Sequence, residues 1–241
     1  MKCRCLLSVI LILGVARSGI AATTLTRHTV VNGKKRTVYV YVPSAATTPA
    51  PLVVLLHGSN RYGMLMIREW KPLADKEGVI LAAPDALHDF AWNARDDGPG
   101  FLKEVVDIAN AATPIDARRV YLFGHSGGAV FGLLMALAES EYFAAASVHA
   151  GALLPEFYGV AAESRRKIPL QIIVGTRDPF FPIDVVQATR DALRKQGFPI
   201  EVVELEGQNH GYSGSQVNPI AWKFLKACAL AQAPQFMPYV P

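Results

Sequence analysis

The stretch Val120–Val130, Val-Tyr-Leu-Phe-Gly-His-Ser-Gly-Gly-Ala-Val, constrains this chain more than any other. Val120–Phe123 is an apolar β run that breaks at Gly124. An apolar pattern of helical spacing resumes at Ala129 and runs through Phe131, Leu134, Met135 and Leu137. Between them, Gly124-His125-Ser126-Gly127-Gly128 carries the Gly-x-Ser-x-Gly pattern of a nucleophile elbow. A serine on a strained strand-to-helix turn has room only if the residues two positions either side lack bulky side chains, and Gly124 and Gly128 meet that demand. Such a turn lifts the Ser126 hydroxyl above the sheet edge and aims the helix N-terminus, with the Gly127 N–H, at an anion. The simpler alternative is a glycine-rich turn whose serine only caps the helix. The β run before it and the amphipathic pattern after it favour the elbow.

The rest of the chain alternates in the same way. Arg27–Val31 and Arg36–Val42 are β-branched runs joined by Asn32-Gly33, a hairpin signal. Leu52–Leu56 is short and fully apolar, as suits a strand buried on both faces. Strands follow at Val79–Ala83, Ala144–Val148, Leu170–Val174 and Ile200–Leu205. Helical spacing marks Tyr62–Glu77, Phe101–Ala112, Ile183–Gln196 and Asn218–Leu230. Asp85–Gly100 is irregular, and Ala150–Lys167 is the one stretch that could form a cap, a modest one over an open, shallow cleft. The pattern predicts an α/β fold: a mainly parallel sheet with helices on both faces and an antiparallel N-terminal edge. In such sheets the site lies at the C-terminal ends of the strands.

A serine hydroxyl needs a base to take its proton. Of six histidines, His28 lies in the hairpin, His57 packs under its loop, His88 has no clear place, and His125 sits inside the elbow pointing away from Ser126. His149 ends a neighbouring strand and stays as a minor alternative. His210, in Gly207-Gln208-Asn209-His210-Gly211-Tyr212 after the last strand, is the expected base. Asp178 follows the Leu170–Val174 strand and is expected to orient it; Asp184 more simply caps the next helix. The second oxyanion donor, beside the Gly127 N–H, is expected from Ser59 in the loop after Leu56. No cofactor or metal is expected. Past the leader the chain has no cysteine pair, no His-x-x-x-His or His-Glu-x-x-His spacing, and no phosphate-cradling or dinucleotide-binding glycine pattern.

Met1-Lys2-Cys3-Arg4, the apolar run Leu6–Val15 and the small residues Gly19-Ile20-Ala21-Ala22 have the layout of a signal peptide, residues 1–22, leaving one domain over 23–241 that is secreted or periplasmic. Removing Lys2, Arg4 and Arg17 leaves 21 basic residues against 20 acidic, a net of +1 where the whole chain has +4. No nucleic-acid partner and no stable membrane association follow. Cys3 and Cys5 go with the leader, so Cys228 stands alone, in an apolar helical context that suits a buried, inert thiol.

His57-Gly58, Trp92-Asn93, Arg118-Arg119-Val120-Tyr121 leading into Gly-His-Ser-Gly-Gly, Gly175-Thr176-Arg177-Asp178 and Asn209-His210-Gly211 resemble the secreted α/β-hydrolase esterases of the polyhydroxybutyrate depolymerase and feruloyl esterase type. The order Ser126, Asp178, His210 is the triad order of that fold. The resemblance implies hydrolysis of small or polymeric carboxylic esters. Trp92, Phe180, Phe181 and Tyr212 are the expected aromatic walls. Related sequences often carry a cysteine near Trp92 and another near the oxyanion loop, where this chain has Ala91 and Ser59. The alternatives are a serine peptidase of the prolyl-oligopeptidase type and a non-catalytic binding module.

Overall fold

The computed structural model describes residues 21–88 and 90–237; most of the expected leader lies outside them. Eight strands form one sheet in the order β1-β2-β4-β3-β5-β6-β7-β8. They are β1 (Thr23–Val31), β2 (Lys34–Val42), β3 (Ala50–Leu56), β4 (Ile80–Pro84), β5 (Ile115–His125), β6 (Ala145–His149), β7 (Leu170–Gly175) and β8 (Ile200–Leu205). The pairs β1–β2 and β2–β4 are antiparallel and every other pair is parallel. Among the described residues there are seven α-helices, α1 (Gly63–Glu77), α2 (Ala94–Asp97), α3 (Pro99–Ala112), α4 (Gly127–Ala138), α5 (Tyr158–Glu163), α6 (Ile183–Lys195) and α7 (Gly214–Leu225), and a 3-10 turn at Pro155–Phe157. Asn32 and Gly33 both take positive φ, 51° and 76°, the primed turn that matches strand twist.

Strand period explains why the central runs are apolar throughout. In β3, Leu52, Val54 and Leu56 face one side and pack with Phe101, Leu102 and Leu133 from α3 and α4. Val53 and Leu55 face the other and pack with Met66, Ile67, Trp70, Val217 and Trp222 from α1 and α7. All five β3 side chains are fully buried, and each such burial contributes about 1.5–3 kcal/mol.

Three expectations are corrected. Strand β5 runs on through Gly124 and His125, which pair with Val148 and His149, so the elbow's first residues belong to the ladder. Helix α7 starts at Gly214, whose N–H donates to the Glu69 carboxylate (2.9 Å), and ends at Leu225 rather than reaching Leu230. Cys228 therefore lies beyond the helix, half-buried, with its thiol pushed up by burial. Finally, α5 sends Val160 and Ala161 into the core beside α4. The middle of 150–167 thus packs against the body of the fold, and no residue of the stretch lines the cleft around Ser126.

Candidate active site

The elbow is as crowded as its glycines imply. Ser126 sits between β5 and α4 at φ 56°, ψ −119°, a conformation that costs on the order of 1–3 kcal/mol for a residue with a side chain. Its N–H donates to the His149 carbonyl (3.0 Å), and its carbonyl accepts from the N–H groups of Ala129 (2.8 Å) and Val130 (3.1 Å). A Cβ at Gly124 would lie 2.1 Å from the Gly128 carbonyl oxygen, and one at Gly128 would lie 2.3 Å from that of Leu56. The backbone strain is held by neighbours on every side.

Two further loops converge on Ser126. The segment after β8 folds back over the end of β7, where a Cβ at Gly175 would strike the Gln208 carbonyl oxygen at 2.3 Å. Arg177 N–H donates to Gln208 (2.8 Å) and Gly207 N–H to the Thr176 hydroxyl (2.8 Å), which ties the two loops together. His210 then lies with Nε2 2.9 Å from Ser126 Oγ and Nδ1 2.9 Å from Asp178 Oδ2. The Asp178 side chain is fully buried, and its other oxygen accepts the N–H groups of Phe180 (2.9 Å) and Phe181 (3.0 Å). A carboxylate so fixed makes Nδ1 the donor on His210 and leaves Nε2 to accept the serine proton. Asp184 stands exposed in the first turn of α6.

The loop after β3 brings Ser59 to the elbow. A Cβ on Gly127 would meet Ser59 Oγ at 3.1 Å and Ser59 N at 3.7 Å, so the two residues are neighbours at the N-terminus of α4. Both line a cleft of about 970 Å³ that also contains Ser126, His210, Phe180, Phe181, Tyr212 and Arg61. Phe180 stands at its rim, 71% exposed.

Trp92 is not brought to this cleft. Its indole N–H donates to the His57 carbonyl (2.7 Å), and its ring stacks on Phe131 at 5.2 Å and leans on His57 at 4.8 Å. It braces the His57–Ser59 loop from behind. Tyr212 does line the cleft, but its hydroxyl turns inward and donates to Asn218 Oδ1 (2.5 Å). Arg61, directly after the Gly58-Ser59-Asn60 turn, also lines the cleft, and its place after that turn is the one sequence signal that marks it.

His57 does pack under its loop: Nε2 accepts the Ala86 N–H (3.0 Å), so Nδ1 donates to the Gly58 carbonyl (2.8 Å). His125 does not simply point away. Its ring is buried 5.2 Å from that of His210 and bonds to His149, Nδ1 to Nδ1, at 3.0 Å. Burial, followed by the neighbouring imidazoles His149 and His210, lowers the pKa of His125 to about 3. Burial, then His210, lowers that of His149 to about 4. Both are neutral near pH 7. Among the described residues, no group of three His, Cys, Asp or Glu side chains converges as a metal site would require.

A mainly parallel, twisted sheet with the elbow after its central strand β5 and the histidine loop after β8 defines an α/β-hydrolase fold. Within that class the chain belongs to the Dienelactone hydrolase family, which it matches over residues 81–232. It is 30% identical over 154 residues to poly(3-hydroxyalkanoate) depolymerase C of Paucimonas lemoignei, covering 58% of this chain and 37% of that one. It is 27% identical over 139 residues to feruloyl esterase B of Talaromyces funiculosus, covering 52% and 38%. The match thus spans well under half the length of these relatives. Among solved structures, a thermostable esterase superposes with a TM-score of 0.67 at 20% identity, covering 86% of this chain and 63% of that one, a likeness of fold.

Proposed function

We propose that this chain is a serine hydrolase of carboxylic esters, with Ser126 as nucleophile, His210 as base and Asp178 as its orienting partner. One observation carries the reading: His210 hydrogen-bonds both Ser126 and Asp178 through its two ring nitrogens. In acylation, His210 takes the Ser126 proton as Oγ bonds to the ester carbonyl carbon. The negative charge moves to the carbonyl oxygen, where the N–H groups of Gly127 and Ser59 receive it. Collapse of that intermediate breaks the bond to the alcohol, which leaves with the proton from His210. Water, deprotonated by the same imidazole, then releases the acid and restores Ser126.

The wide cleft and its Phe180 and Phe181 wall suit a bulky or aromatic acyl or alcohol group. The relatives named for feruloyl esters and hydroxyalkanoate polyesters point to those two substrate types. The leader-like N-terminus supports export, leaving one catalytic domain over residues 23–241. Hydrolysis of p-nitrophenyl acetate and butyrate by residues 23–241 and by the Ser126→Ala variant tests the reading. Turnover by the parent and none by the variant is the expected result. Equal turnover by both would remove Ser126 from its role, and cleavage of a peptide anilide in preference to a matched aryl ester would move the chain to the peptidases.

A further inference from the structure

Two hydrogen bonds hold His210 along its ring, one at each nitrogen. They leave the ring free to tilt about the line joining those atoms. Tilt is set by what packs against the ring. Phe180 meets it edge-on at 4.7 Å and Phe181 stacks at 5.9 Å, but Phe180 is 71% exposed and Phe181 only partly buried. His125 also packs on it, at 5.2 Å, and His125 is buried.

The fold fixes His125 firmly. His125 and His149 are partners on the last rung of the β5–β6 ladder, so both side chains leave the sheet at the same level. Their Nδ1 atoms lie 3.0 Å apart and hold one hydrogen between them, one ring donating and the other accepting. Tyr212 stacks on His125 at 5.2 Å with 19° between planes, and is itself anchored to Asn218, whose side-chain amide donates to the Glu69 carbonyl (2.9 Å). The charged and titratable groups around the pair are Arg61 before α1, Asp178 after β7, and His210 and Tyr212 after β8.

We propose that His125 is a positioning residue for His210: its ring, held by the shared Nδ1 hydrogen and by Tyr212, sets the tilt at which His210 reaches both Ser126 and Asp178. The proposal deepens the ester-hydrolase reading and rests on it for its kinetic consequence. An aliphatic residue here would fill space but could not anchor through His149. The buried pair stays uncharged, so it adds no positive charge of its own beside the imidazolium formed on His210 during attack.

Two matched substitutions separate positioning from ordinary packing. Asn places an amide where Nδ1 stands, so His149→Asn and His125→Asn each keep a polar partner across the pair, but only His125→Asn removes the ring that faces His210. The first readout is the downfield proton of the His210 Nδ1–H···Asp178 bond in one-dimensional NMR, which needs no substrate. The second is p-nitrophenyl butyrate hydrolysis. Expected for His125→Asn are loss of the downfield proton and a fall in kcat on the order of 10–100-fold with little change in KM. His149→Asn should keep the proton and suffer several-fold less. Should His125→Asn not fold, His125→Gln also removes the ring that faces His210, and although its amide stands nearer the Nε2 position, its downfield proton decides in the same way. Equal effects of the two substitutions, or a retained downfield proton without the His125 ring, would overturn the proposal. A parent protein that shows the downfield proton yet turns over no ester would instead sink the functional reading and leave the NMR comparison to decide this one.

Discussion

Arg36 on β2 forms an ion pair with Asp97 that is buried on both sides, at 1% and 0% side-chain exposure. The pair organises the connection from β4 to α3. Arg36 also donates to the carbonyls of Asp96 (2.8 Å) and Asp85 (3.0 Å), and Asp97 accepts the N–H groups of Leu87 and Asn93 (2.9 Å each). The guanidinium lies 3.5 Å over the Phe101 ring. This loop delivers Trp92 to the back of the His57 segment.

Asp97→Ala should therefore cost about 3–5 kcal/mol, because it strands a buried guanidinium and two N–H groups together. Thermal unfolding measures the loss. Since Trp92 rides on the same loop, its fluorescence should report a wetter indole at temperatures where the parent is fully folded. An unchanged melting temperature would show that the pair is not needed to hold the loop.

Asp178→Asn keeps the shape of the buried side chain and the acceptor for Phe180 and Phe181, but removes the charge that His210 Nδ1 faces. An amide nitrogen turned toward the ring would favour the wrong tautomer. The expected effect is a fall in kcat on the order of 10⁴-fold for p-nitrophenyl butyrate with a nearly unchanged melting temperature. A loss below tenfold would mean that the Asp178 contact does not orient the base.

Gly128→Ala tests the elbow sterically. The added Cβ would lie 2.3 Å from the Leu56 carbonyl oxygen and 2.5 Å from that of His57, so the end of β3 has to retreat from α4. Overpacking of this kind costs about 1–3 kcal/mol. Because the same β3 end carries Ser59, activity should fall further than stability, and a crystal structure of the variant should show Ser59 displaced from Gly127.

The sheet and the site differ in how far the sequence exposes them. Strands such as Leu52–Leu56 are buried on both faces, so their composition alone announces them. Ser126, Asp178 and His210 each follow a strand end, and a parallel sheet collects such ends on one edge; chain order alone places them together. Trp92 is not legible in this way, because an aromatic in an irregular loop reads the same whether it faces a ligand or a neighbour's backbone. What turned it inward was the His57 carbonyl, a contact between loops 35 residues apart. The His125–His149 bond was hidden for a related reason. It depends on ladder register, which sets Gly124 beside Val148 and His125 beside His149, and single-strand patterns carry no register. The start of α7 leaves no local signal because Glu69, on a distant helix, supplies its first N–H partner.

The same pair of histidines should make stability depend on acid in a defined window. Both pKa values are lowered in the folded protein, to about 3 and about 4, from an ordinary 6.5. Below 6.5 the unfolded chain takes up two protons that the native state refuses, so the unfolded state binds more protons and stability falls as pH drops. The contribution is whole above 6.5, declines through pH 6 and 5, and levels off only below the folded values. Each histidine adds a slope of up to about 1.4 kcal/mol per pH unit in that range. Melting temperatures measured from pH 7.5 to 4.5 should therefore fall steeply and reversibly. His149→Asn, which leaves one titrating ring in place of two, should fall with about half the slope from these two sites. Parallel curves for the parent and His149→Asn would show that His149 is not buried in its neutral form.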